Sequence, residues 1–143
     1  KAQINSDCMR ITLFFMALTL LGACKSKEKD NHVAGLPADF EVFFQKFHTD
    51  SVYQMEHIIF PLEGHIRVME NQLEIINPIK WEKEDWIMHK PFNDHGGTFE
   101  QKYLMTGDIV VEKIRDKSDF FKMERRFAKL GEDWTLIYYG ANN

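Results

Sequence analysis

"DFFKMERRFAKLGEDWTLIYYGA" (residues 119–141) decides how this chain folds. Its first half sets Phe121, Met123, Arg125 and Phe127 at alternate positions, and its second half does the same with Trp134, Leu136 and Tyr138. A period of two is the mark of strands that turn one face inward. Gly131, with Glu132 and Asp133, supplies the connection, so the stretch predicts a β-hairpin with two aromatic inner faces. Arg125 breaks the apolar pattern. Its guanidinium either reaches out to solvent at the end of the sheet or projects into a cavity.

Such a hairpin needs an apolar partner, and "LPADFEVFFQKFHTD" (residues 36–50) offers one. Phe40, Phe43, Phe44 and Phe47 follow the i, i+3, i+4, i+7 spacing that puts four rings on one face of a helix. Pro37 suits a helix start, and Asp39 and Glu41 suit its positive N-terminus. A Phe stripe of this kind reads as core, packed against the hairpin. "DSVYQMEH" (residues 50–57) adds a short second helix with Asp50 or Ser51 as its cap.

Between helix and hairpin the pattern is strand-like. "HIIFPLEGHIRVM" (residues 57–69) predicts two short strands, or a strand and a bend, around Pro61 and Gly64. Pro61 limits this segment to an edge or a bulge. "PIKWEKEDWIMHK", "TFEQKYLM" and "DIVVEKIR" are further strand candidates, the last two joined by a turn at Gly107-Asp108. Helices followed by antiparallel strands suit an α+β cone, with N-terminal helices packed on a curved sheet.

The segments "FEVFFQKFHTDSVYQMEHIIFPLEG" (residues 40–64) and "RRFAKLGEDWTLIYY" (residues 125–139) carry a family resemblance. They resemble a family of small bacterial lipoproteins of unknown function from gut-dwelling Gram-negative bacteria, similar in fold to nuclear transport factor 2. The resemblance spans residues 38–140. It implies the cone fold and transfers no catalytic residue, because the shared motifs are structural. Folds of this kind also pair through the open sheet face, so a homodimer is compatible with it.

The N-terminus speaks to location. Met9-Arg10 precedes an uncharged apolar run over residues 11–23, and Leu21-Gly22-Ala23-Cys24 resembles the lipobox of bacterial lipoproteins. The run is shorter than the about 20 residues of a spanning helix. Cys24 is therefore the expected lipid attachment point, with two or more acyl chains giving a stable membrane anchor. Residues 1–23 read as upstream sequence and signal peptide with the start at Met9, residues 24–36 as lipidated Cys and charged tether, and residues 37–143 as one domain. Cleavage would leave 120 of 143 residues with a formal charge of −5. That length supports a real core. The charge argues against nucleic acid as a partner. The tether "KSKEKDNHVAG" lacks a dense acidic run after Cys24, which points to the outer membrane, facing the periplasm.

Chemical motifs are sparse. The histidines form no HxH or HExxH pair, and neither GxSxG nor a Gly-rich phosphate loop occurs. "HKPFNDHGG" (residues 89–97) brings His89, Asp94 and His95 together, but it also reads as a polar turn. No metal, cofactor or catalytic residue is assigned. His57 and His65 flank the Pro61–Gly64 bend, where they either meet across a hairpin or are exposed strand histidines. Trp81, Trp86, Tyr103 and Arg125 are the candidate ligand-binding residues: aromatics with one guanidinium suit a small, partly apolar ligand with an anionic group.

Two functions follow from different classes. One is a non-enzymatic envelope lipoprotein that binds a small molecule or another envelope protein. The alternative is a small cone-fold enzyme, an isomerase, dehydratase or hydrolase, using an Asp or Glu with a His or Tyr in its cavity.

Overall fold

The computed structural model describes residues 35–94 and 96–142. The expected leader, Cys24 and nearly all of the tether lie outside the described residues, as does His95. Two helices, α1 (Ala38–Thr49) and α2 (Ser51–Glu56), precede six strands. These are β1 (Ile58–Glu70), β2 (Leu73–Trp81), β3 (Phe99–Thr106), β4 (Ile109–Asp116), β5 (Lys122–Leu130) and β6 (Asp133–Asn142). They form one sheet in the order β2-β1-β6-β5-β4-β3, antiparallel except where β1 runs parallel to β6. This is the α+β cone: a curved open sheet with helices on its inner face.

Helix α1 forms for the reasons its spacing gives. Phe40, Phe43 and Phe47 are buried, and Phe44 is half-buried beside them. Their rings close around Phe127 of β5, at 5.5 Å from Phe40 and Phe47 and 5.7 Å from Phe43 and Phe44, mostly edge-on. Trp134 of β6 lies 4.9 Å from Phe40. Such pairs add about 0.5–1.5 kcal/mol each beyond the area they bury. Asp39, in the first turn, does more than favour the helix N-terminus. Its carboxylate accepts from Lys129 Nζ at 2.7 Å and from Trp134 Nε1 at 3.1 Å, tying α1 to the hairpin. Asp50 is the α2 cap and accepts from the backbone N–H groups of Val52 and Tyr53, both at 3.0 Å.

Two details depart from the alternation of the sequence. Residues 58–70 form a single 13-residue strand in the sheet interior, not two short strands or a strand and a bend. Pro61 is tolerated there because the β1–β6 register breaks between Ile58 and Glu63, and pairing with β2 begins at Leu62. The missing N–H therefore falls where no ladder bond is required. The second departure is in β6. Arg126 pairs with Tyr138 but Phe127 pairs with Leu136, so Ile137 is an extra residue and forms a β-bulge. The inner face of β6 is thus Trp134, Leu136 and Tyr139. Tyr138, expected inside, lies outside, with the Arg126 guanidinium 4.1 Å above its ring.

Candidate functional site

One row of side chains crosses the inner face of the sheet. Tyr103 on β3 pairs with Glu112 on β4, Glu112 with Arg125 on β5, Arg125 with Tyr139 on β6, and Tyr139 with Gly64 on β1. Gly64 is required in this row. A Cβ there would run into the Tyr139 carbonyl oxygen and the Trp81 indole nitrogen. The missing side chain lets Trp81 Nε1 donate to that carbonyl at 3.0 Å.

Arg125 and Glu112 form a buried ion pair, 2 % and 0 % exposed, with Arg125 Nε donating to Glu112 Oε2 at 2.5 Å. A carboxylate this deep needs every lone pair occupied. Gln101 Nε2 donates to Glu112 Oε1 at 2.5 Å and to the Tyr103 hydroxyl at 2.6 Å. The Tyr103 hydroxyl makes a longer contact to Oε1, at 3.4 Å. Burial, and then the Glu112 charge, raise the Tyr103 pKa, so the phenol keeps its proton.

Two histidines complete the surround of the guanidinium. Arg125 Nη1 donates to His48 Nε2 at 2.7 Å and to His89 Nδ1 at 3.2 Å. Arginine has no acceptor, so both ring nitrogens must accept. That places the His48 proton on Nδ1, which donates to the Phe44 carbonyl at 2.8 Å. It places the His89 proton on Nε2. Burial, followed by the Arg125 charge, pushes His48 down to about 4 and His89 to about 2, so both are neutral across the physiological range. Among the described residues the bonds of the Arg125 guanidinium run through Nε and Nη1, and those of the His89 ring through Nδ1.

An aromatic wall flanks this polar centre. The His89 ring lies 4.6 Å from Tyr139 and 4.5 Å from Trp86, and Trp86 lies 5.6 Å from Tyr139. Tyr103 meets Phe44 edge-on at 5.8 Å. Of the four residues expected to bind ligand, Arg125, Tyr103 and Trp86 join one connected cluster. Trp81 stands behind Tyr139, at 5.2 Å, in a supporting position.

His48, Glu112, Gln101 and Tyr139 escaped the sequence reading, and His89, noted there only beside Asp94 and His95, instead accepts from Arg125. For Glu112 a signal existed: Val110, Glu112 and Ile114 alternate on β4, and all three are buried. The other expectations resolve differently. His57 stacks on Tyr53 at 3.8 Å, while His65 Nδ1 contacts the Tyr138 hydroxyl at 2.6 Å on the outer face, so the two do not meet. Asp94 accepts from the Gly96, Gly97 and Thr98 N–H groups, and His95 lies outside the described residues. Among the described residues no three His, Cys, Asp or Glu side chains converge as a metal site.

Comparison with known proteins agrees with the fold. A protein-family model described only as "-like" matches residues 38–137, well over half of the chain. An NTF2-like protein from Bacteroides fragilis is similar with a TM-score of 0.51 at 16% identity, over 72% of this chain and 46% of that one. This chain thus spans about half the length of that structure. An NTF2-like protein from Cytophaga hutchinsonii shares 11% identity with a TM-score of 0.41, covering 73% of this chain and 91% of that one. An NTF-2 like protein of unknown function from Silicibacter pomeroyi shares 12% identity with a TM-score of 0.37, covering 77% and 93%. No curated protein matches. Identities this low speak to fold alone. With the family model spanning the helices and nearly all of the sheet, the chain belongs to the family that model describes, and its fold is NTF2-like.

Proposed function

We propose that this protein is a lipid-anchored envelope protein that binds a small, partly apolar ligand with an anionic group on the inner face of its cone. The observation that supports binding is which atoms of the buried cluster remain available. Both Glu112 oxygens, both His48 nitrogens and His89 Nδ1 already have partners. Among the described residues, what is left is Arg125 Nη2, His89 Nε2–H and the Tyr139 hydroxyl, with the His89 ring against Trp86 and Tyr139. Donors against an aromatic wall suit an acceptor-rich head group on an apolar body. A general base needs an acceptor free to take a proton from substrate, and the carboxylate here is committed. That favours binding over the enzyme alternative.

A titration of the protein with benzoate and with benzamide, followed by tryptophan fluorescence, tests this reading. Benzoate is expected to bind at least about tenfold more tightly, the order of one charge-assisted hydrogen bond. Equal affinity, or none for either, overturns it. The anchor rests on the Leu21-Gly22-Ala23-Cys24 pattern after an apolar run. Labelling with a palmitate analogue is expected to mark the wild-type chain and not Cys24→Ala, and label persisting in the variant removes the anchor from the proposal.

A further inference from the structure

β2 and β3 lie at opposite edges of the sheet, so the chain between them must cross its width. It crosses on the inner side. Trp86 packs on Phe60 and Tyr139, and His89 packs on Tyr139 and bonds to Arg125, which puts residues 86–89 over the polar centre before Phe92 reaches Phe99 of β3. This segment has no ladder partner in the sheet. Among the described residues, every hydrogen bond that residues 86–92 make beyond their own neighbourhood goes to Arg125 or to one side chain, Gln54 of α2.

Gln54 is 0 % exposed, and its amide is fully used. Its Oε1 accepts from Trp86 Nε1 at 3.1 Å and from the His89 N–H at 2.9 Å. Its Nε2 donates to the His89 carbonyl at 2.9 Å and to the Phe47 carbonyl at 2.5 Å. One glutamine thus holds the crossing segment to the end of α1. Beneath that segment Arg125 is 2 % exposed, so a ligand reaches its guanidinium only when the cover moves.

We propose that residues 86–92 form a strap that opens over the inner face of the cone, and that Gln54 is its latch. Admission of ligand to Arg125 by this opening rests on the binding reading above; the opening itself does not. The strap is held by few bonds while the β5–β6 hairpin beneath it is held by a full ladder, and segments so fastened open locally without global unfolding.

Hydrogen–deuterium exchange of the full chain, read by mass spectrometry, tests the proposal. In the wild type, peptides covering residues 86–92 are expected to exchange at least about a hundredfold faster than those covering residues 125–137. Gln54→Met fills a similar volume without polar atoms. It is expected to speed strap exchange at least about tenfold further and leave the hairpin unchanged. Equal protection of strap and hairpin in the wild type overturns the proposal, and this needs no variant to fold. Equal acceleration of both in Gln54→Met also overturns it, because Gln54 would then hold the whole fold. Saturating benzoate separates the two readings. If it slows strap exchange, ligand and strap share the site; if strap exchange is fast but insensitive to benzoate, the binding reading falls and the latch stands.

Discussion

The inner face of the sheet has two halves built on the same strands. Toward one end of the cone, Phe127, Trp134 and Leu136 meet the Phe stripe of α1. Two residues along β5 and β4, Arg125 and Glu112 meet His48, His89, Gln101 and Tyr103. The apolar half is held by burial and ring packing, which tolerate small shifts. The polar half is directional, and buried ion pairs of this kind are often no more stable than apolar residues of similar volume. A fold that needed only stability would gain little from it. Its presence beside an aromatic wall is the best reason to look for function there.

The comparison breaks first at Glu112. Glu112→Ala strands the Arg125 charge in the interior and is expected to cost about 3–5 kcal/mol in a denaturant melt. Replacing both partners, Glu112→Leu with Arg125→Met, is expected to recover most of that loss. If the double variant is as unstable as the single one, the pair is structural after all.

Acid should weaken the polar half through its two histidines. His48 and His89 are held neutral in the fold, with pKa values below the ordinary value of 6.5, and they regain that value on unfolding. Below pH 6.5 the unfolded chain binds protons that the native state does not, so stability falls as pH drops from about 6.5 towards about 4. The slope is at most about 1.4 kcal/mol per pH unit for each histidine. His48→Gln is expected to flatten part of it, and an unchanged pH profile in that variant would mean the imidazole is not held neutral. A smaller effect tests the backbone that supports the row. Gly64→Ala pushes a methyl against the Tyr139 carbonyl and should cost about 1–3 kcal/mol. Smallest is Asp50→Ala, at about 1 kcal/mol in thermal melting, since it removes only the α2 cap.

The apolar half was legible in the sequence because periodicity reports burial directly. The stripe at Phe40, Phe43, Phe44 and Phe47 and the alternation around Phe127 each name a face, and two apolar faces must meet. The polar half was legible in part: Arg125 stood out as a charge on an apolar face, and Tyr103 and Trp86 as aromatics beside it, while the groups that bind the guanidinium were not legible. His89 comes from a segment with no period at all, and its partner lies 36 residues away. His48 sits one residue beyond the Phe stripe, where it reads as the basic end of a helix. Tyr139 was hidden by a different cause: alternation assumes an unbroken strand, and Ile137 breaks it.

That extra residue in β6 divides the strand into two reading frames, one for each half of the interior. Upstream of it, even-numbered residues face inward; downstream, odd-numbered ones do. Removing Ile137 would leave both frames in phase, because Leu136, Tyr138 and Tyr139 would then alternate as in a plain ladder. Removing Tyr138 instead would do the same, with Ile137 taking the outward place, whereas removing Thr135 or Gly140 would turn one side of the cut inside out. Relatives of this protein can therefore differ by one residue in length at this point with no change in what the cone contains, and an alignment that places the gap elsewhere would pair Tyr139 with the wrong side of the sheet.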